Sequence, residues 1–412
     1  LKQLFAVTLF LFTATLFAQQ GTTSPYSFFG IGSLKFKGTI ENRSMGGIGI
    51  LADSIHINVQ NPATASQLRL VTYSLAGSYR RTDLKTSDDK QTATTTSLDY
   101  LAMGIPMGKV GVNFGLLPYT SSGYKLQNQS NDVITQYEGS GGLNKAFLAV
   151  GYELLPGLSL GVDANYNFGN IESVATTFQE DVEFGTREIN RSSVLGFSFN
   201  FGAHYKTTFS NRLEWTASAT YTPETEFTSE NDRILATLLV LTNGTETPID
   251  LRNIDVDNTD FTNPSKIALG TGIGKAKRWF VGAEFVSQKT SNFVNRTADL
   301  GEVFFEDAIS FKAGGYYIPN YNAISSYFKR VVYRAGFRFE ETGVNVNGES
   351  INEFGISFGV GLPVGRMFSS LNLGFEVGRL GTTNQGLVEE TFFNTFISLS
   401  LNDKWFEKRY YD

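Results

Sequence analysis

Phe354, Ile356, Phe358, Val360 and Leu362 alternate with Gly355, Ser357, Gly359 and Gly361, and the same two-residue beat recurs along most of the chain. Leu371, Leu373, Phe375 and Val377 alternate with Asn372, Gly374, Glu376 and Gly378. Leu195, Phe197, Phe199, Phe201 and Ala203 alternate with Gly196, Ser198, Asn200, Gly202 and His204. Successive side chains of a strand point to opposite faces, so each segment has one apolar face and one small, polar face. In a soluble sheet protein the apolar face must meet another apolar face. Here the second face is largely Gly, Ser, Asn and Thr, which suits a wall with lipid outside and a polar lumen inside.

After an irregular opening, the beat predicts about fourteen strands, near 68–81, 95–107, 109–122, 142–154, 157–170, 190–208, 212–226, 264–275, 278–289, 303–317, 328–341, 351–363, 367–380 and 391–401. Each reaches the ~9–11 residues that a tilted strand needs to cross the hydrocarbon. Short joins at 107–109, 155–157, 209–211, 275–277 and 363–366, and a medium one at 319–327, alternate with longer polar joins at 82–94, 123–141, 171–189, 227–263, 290–302, 342–350 and 381–390. Tight periplasmic turns opposite longer outer loops are the habit of outer-membrane barrels. The expected fold is therefore all-β: a 14-stranded antiparallel transmembrane barrel. Within the longest join, residues 234–241 lose the period of two and are expected as a short helix.

Composition narrows the function classes. Among 412 residues there are 42 Gly, 35 Phe and 18 Tyr, and aromatics commonly form the interfacial girdles of barrels. Beyond the N-terminus no apolar run approaches the ~20 residues of a spanning helix. The net charge of -6, without a basic cluster, argues against nucleic acid as a partner. Cysteine is absent, so disulfides, thiol chemistry and lipid attachment through cysteine are excluded. Residues 1–18, with Lys2 before an apolar stretch ending at Ala18, read as a secretory signal peptide, with the mature chain starting at Gln19 or Gln20.

Residues 19–67 do not alternate, yet they are rich in Gly and apolar side chains. A fourteen-strand lumen is too wide for wall side chains alone to fill, so this segment is expected as a hatch inside the barrel of 68–412. Its Ser44, Met45, Gly46 and Gly47, then Asp53, then Asn61, Pro62 and Ala63 directly before the first strand, carry a resemblance. So do Pro264 to Gly270 leading into Trp279, and Arg334, Ala335, Gly336 and Phe337. On these residues the chain resembles the FadL family of outer-membrane transporters for long-chain fatty acids and other hydrophobic compounds. The resemblance implies a fourteen-strand barrel with an N-terminal hatch and passive diffusion of ligand. It also implies a sideways exit where the third strand kinks. Pro118 in that strand cannot donate to the ladder, which makes 118–123 the candidate opening.

Candidate chemistry is sparse. His204 falls on the inward face, where a lumen hydrogen bond is expected, and His56 lies near Asp53 in the hatch segment. Gly46, Gly47 and Gly49 lack the Lys-Ser/Thr ending of a phosphate loop. Asp255, Asp257 and Asp260 lack the spacing of a calcium loop. Glu214, Glu284, Arg334, Arg338, Glu340 and Glu376 share the polar face and are expected to pair there with each other or with Arg43 and Asp53. Trp405, Phe406, Tyr410 and Tyr411 are expected as a periplasmic aromatic belt or an assembly surface.

The expected protein is therefore a non-enzymatic outer-membrane transporter of a Gram-negative bacterium, taking up fatty-acid-like hydrophobic molecules without a cofactor or metal. Phe28, Phe29, Ile31, Pro118 and Tyr119 are expected along the ligand path. Met45, Gly46, Gly47, Asn61, Pro62 and Ala63 form the hatch motif. Its partners are membrane lipid and a hydrophobic small molecule. The alternative is a non-catalytic scaffold subunit of a larger outer-membrane complex, for type IX secretion or barrel assembly. A third reading, a lipase, would depend on His204.

Overall fold

The computed structural model describes residues 21–130, 132–240, 245–292, 303–364 and 369–404. The expected signal peptide, the join at 365–368 and the aromatic C-terminus from Trp405 lie outside them. The wall is built from fourteen strands, each antiparallel to its neighbours. They are β1 (Val71–Lys85), β2 (Lys90–Met107), β3 (Val110–Pro118 and Thr120–Ser130), β4 (Val133–Leu155), β5 (Leu158–Gln179), β6 (Phe184–Thr208) and β7 (Glu214–Thr222 and Thr225–Val240). They continue as β8 (Thr259–Asn263 and Lys266–Lys275), β9 (Trp279–Gln288), β10 (Ala308–Tyr317), β11 (Val332–Val346), β12 (Glu349–Val364), β13 (Ser369–Leu380) and β14 (Glu389–Asp403). β14 pairs with β1 from Val71↔Asp403 to Lys85↔Glu389, which closes the ring. In lipid, closure is what satisfies the outermost N–H and C=O groups.

The register follows the sequence beat. Phe197, Phe199, Phe201, Phe354, Phe358, Phe375 and Val377 are exposed on the outside, while Ser198, Asn200, His204, Ser357, Asn372 and Glu376 are buried on the inside. Outward rings stack across strands: Phe358 meets Phe375 with centroids 5.5 Å apart, and Tyr166 meets Phe197 at 5.1 Å. This outward apolar face is the bilayer-facing surface of an outer-membrane barrel.

Two expectations about the joins are corrected. The stretches 82–94, 123–141, 171–189, 227–263 and 342–350 are largely strand, because hairpins continue past the apolar band and turn only at their tips. Above the bilayer both faces meet water, so the alternation that betrays a strand disappears. Residues 234–240 are strand, not helix: they pair on one side with β6 and on the other with a strand at Glu246–Ile254.

The segment from Gly21 to the start of β1 lies inside the ring. Its side chains meet inward-facing groups of strands all around the wall: Arg43 reaches Glu376 of β13, Lys37 reaches Asp163 of β5, and Asn61 reaches Ser218 of β7. The lumen is thus packed rather than open.

Placing a charge on the outer face tests the register. Phe375→Arg should destabilise the barrel in lipid vesicles by about 2–4 kcal/mol, and Thr94→Arg, near the outer rim, by about 0–1. Unfolding curves in urea read both.

Candidate functional site

The third strand is broken. Pro118 carries no N–H, and Val110–Pro118 ends there, still paired with β4 at Asn144. The strand resumes at Thr120, after Tyr119 has donated its N–H to the Leu143 carbonyl at 2.7 Å. Below the break, β2 and β3 pair from Met107↔Val110 up to Leu101↔Leu116. Above it they separate: among the described residues, 90–98 and Tyr100 of β2 pair only with β1, and Ser122–Ser130 pairs with β4. The inner segment fills part of the gap, because its two-residue strand Ser33–Leu34 pairs with Ser121 and Thr120. Leu34 is 49% exposed, unusual for an apolar residue of an otherwise buried segment.

Three small chambers meet at Leu34. One, about 120 Å³, reaches the gap and is lined by Lys35, Thr95, Ser97, Asp99 and Pro118. A second, about 140 Å³, is apolar, with Phe29, Ile31, Tyr119, Val344 and Ile351 in its walls. The third, about 200 Å³, is basic, with Lys37, Lys145, Lys266 and Lys312 beside Pro118 and Tyr119. A fourth cavity of about 570 Å³ lies at the short-turn end, lined by Asp53, His56, Arg69, Tyr316 and Arg334 among others.

Between these spaces the inner segment is held by polar bonds. Glu376 accepts from Arg43 Nη2 at 3.2 Å, from Asn394 Nδ2 at 2.9 Å and from Arg338, which also pairs with Glu353. Glu284 accepts the Gly49 N–H at 2.7 Å and faces Lys312 at 3.4 Å. Asn61 accepts from the Ala63 N–H at 3.0 Å, capping the short helix Pro62–Gln67, while its Nδ2 donates to Ala203 O and Ser218 Oγ at 3.0 and 2.8 Å. Gly46 needs to be glycine twice over. Its φ is +71°, and a Cβ would stand 2.4 Å from the Phe337 carbonyl of β11.

A family model described as BamG matches residues 1–412. The chain belongs to the BamG family. Its barrel shares the fold of FadL-family transporters. The Ralstonia pickettii toluene transporter TbuX is 15% identical, with a TM-score of 0.59 over 89% of this chain and 99% of that one. The Pseudomonas putida toluene transporter TodX is 14% identical, with a TM-score of 0.60 over 90% and 99%. A Pseudomonas aeruginosa FadL homologue is 11% identical, with a TM-score of 0.54 over 90% and 98%. No curated protein sequence matches.

In this BamG-family barrel the residues singled out by sequence part into two groups. Phe29, Ile31, Pro118 and Tyr119 gather around the chambers at the break. Phe28 packs edge-on against Tyr124 and Tyr137, with centroids 5.0 and 5.9 Å away, beside the resumed half of β3. Met45, Gly46, Gly47, Asn61, Pro62 and Ala63 are seated against the wall, where they anchor the segment. Sequence reasoning missed Leu34, Lys145, Lys266 and Glu353. Lys145 shares the inward register with Leu143 and Phe147, whose apolar character hides the polar face there.

His56 Nδ1 stands 2.8 Å from Asp53 Oδ2. Burial alone would push the Asp53 carboxyl up, but His56 and the Ile55 and Ser54 amides hold it at about 2. Burial pulls His56 down, and the Asp53 carboxylate more than reverses this, so the imidazole lies above its ordinary value. Ser370 Oγ lies 3.4 Å from His56 Nε2 and accepts from Asn372 Nδ2 at 3.3 Å. Nucleophile and base usually lie within about 2.6–3.2 Å, so the trio reads as positioning rather than reactive. His204 is buried, and its ring nitrogens find only a loose approach to the Ile50 backbone.

The Asp53–His56 pair should impose a pH window. The raised His56 contributes fully below about 6.5 and loses its share as pH climbs through its elevated value. The depressed Asp53 contributes above about 4 and loses its share as pH falls towards 2. Melting of the detergent-solubilised barrel should therefore weaken from pH 6 to 9, and His56→Gln should flatten that slope. Separately, Glu376→Gln breaks a buried pair and should cost about 3–5 kcal/mol. Faster proteolysis of the inner segment would register the loss.

Proposed function

We propose that this BamG-family barrel is a passive outer-membrane channel for hydrophobic small molecules, in which residues 21–70 act as the hatch. The observation that carries the reading is the unpaired stretch of wall above Leu101 and Leu116, where the chamber lined by Thr95, Ser97 and Asp99 reaches the gap and the apolar chamber adjoins it at Leu34. An unpaired ladder in lipid is expensive unless the opening is used or lined. Here Phe29, Ile31, Leu34 and Tyr119 offer an apolar route between that gap and the lumen. Toluene, the compound named for the two transporters of like fold, has the required character. Hydrophobic small molecules are the broader class, fatty-acid-like ones among them.

A second reading, a scaffold subunit of a larger outer-membrane complex, has its own support. The strand Glu246–Ile254 pairs on one side with β7, and among the described residues its other edge is unpaired. All nine of its residues are exposed, including Ile249 and Leu251. Such an edge invites strand addition by a partner. Purification in mild detergent separates the two: a stoichiometric partner lost when Ile249 and Leu251 become Lys favours the scaffold, and a lone barrel favours the channel.

The channel makes its own forecast. Ser33 and Ser121 are register partners, close enough for a disulfide, and the chain has no other cysteine. Ser33→Cys with Ser121→Cys should abolish uptake of an aromatic hydrocarbon under oxidising conditions, and reductant should restore it. Uptake unchanged by the cross-link would exclude movement of the inner strand from the route.

A further inference from the structure

The basic chamber holds more positive charge than the protein around it compensates. Lys37 pairs with Asp163 at 3.0 Å, Lys312 with Glu284 at 3.4 Å, and Arg338 with Glu353 and Glu376. Lys145 is 7% exposed, yet among the described residues its ammonium meets neither a carboxylate nor a hydrogen-bond acceptor. Its close neighbour is the Tyr119 ring, 4.1 Å from Nζ. The Lys266 ammonium likewise has no hydrogen bond or ion pair, and only more distant attraction from Glu340 and Glu284. Lys37 and Lys266 repel Lys145 while Asp163, already paired with Lys37, attracts it from a distance, and Lys37 and Lys312 repel Lys266. Uncompensated charge inside a protein is costly, and like charges gathered there raise the cost. A bound anion would offset that cost.

Its shape can be read from the donors. The one guanidinium lining the chamber is engaged by two carboxylates, so no planar fork is available for a carboxylate ligand. The available donors are ammoniums, which act as separate point charges. They approach from β4, β8 and β10 and from the inner segment, an arrangement that suits a tetrahedral group with several charged oxygens. The chamber shares Leu34, Tyr119, Pro264, Gln288, Glu340 and Glu353 with the apolar one, and Glu353 is held by Arg338, so a head among the lysines of the first can carry a chain in the second.

We propose that Lys145 and Lys266, with Lys37 and Lys312 beside them, form a phosphate-binding site in the lumen. It takes the phosphate of an acyl phosphate in the sense of a phosphorylated monoacylglycerol, whose chain enters the apolar chamber, or free phosphate. This inference rests on reading the chambers at the break as a ligand path. The test uses the full barrel in a neutral maltoside detergent and phosphate-free buffer, titrated calorimetrically. The titrants are monoacyl phosphatidic acid, the fatty acid of equal chain length, the matching monoacylglycerol and inorganic phosphate.

The acyl phosphate should bind at least tenfold more tightly than the fatty acid. Lys145→Met and Lys266→Gln should each weaken it at least tenfold and leave monoacylglycerol unchanged. Inorganic phosphate binding as tightly as the acyl phosphate identifies free phosphate as the source, and acyl phosphate alone identifies a lipid; both uphold the site. Without phosphate, Lys145→Met should melt higher than the parent, since it removes an uncompensated charge. Equal binding of fatty acid and acyl phosphate, binding indifferent to both variants, or a lower melting point for Lys145→Met overturns the inference. Failure of hydrocarbon uptake with lysine-dependent phosphate binding intact would sink the transport reading alone. Intact uptake with lysine-independent binding would sink this site alone.

Discussion

Every backbone N–H and C=O that faces hydrocarbon must find a partner within the protein, and this requirement organises the whole molecule. It forces β14 back onto β1. It also makes the interruption at Pro118 the place where the wall departs from its own rule. There the inner strand Ser33–Leu34 supplies pairing to Thr120 and Ser121, so one segment both fills the lumen and repairs the ladder. The fold and the candidate site are consequences of the same constraint.

The lumen obeys a second version of it. Charges drawn inside by the register are nearly all met: Arg43, Arg338, Glu353 and Glu376 form one connected group, and Lys312, Glu284 and the Gly49 amide another. These groups join the inner segment to β9, β10, β11, β12 and β13, so displacing it would strand buried ions. Buried pairs add little net stability but are destabilising when broken, which makes them suitable for fixing one arrangement against alternatives.

Much of this was legible in the sequence wherever the environment is two-sided. Between lipid and lumen, Phe354, Ile356 and Phe358 alternate with small residues, and the strands follow directly. Where both faces are wet, as in 171–189, or where both faces carry apolar residues, as in 234–239, period and environment part company and the strand is hidden. Pro118 announced a defect in the third strand because its missing donor is a local, covalent fact. Lys145 and Lys266 were not legible as a pair, because whether an inward charge is met depends on partners contributed by distant strands. The Asp53–His56 contact was visible as a spacing of three, and the structure supplied its orientation.

The anchoring of Asn61, Pro62 and Ala63 immediately ahead of β1 bears on biogenesis. Those residues are clasped by β5, β6 and β7, while the seam that shuts the cylinder joins β1 to β14, the last strand described. A chain emerging from its N-terminus offers the core filler first and the final stave last. Seating the inner segment and pairing β5 to β7 are therefore linked, since each supplies buried partners of the other.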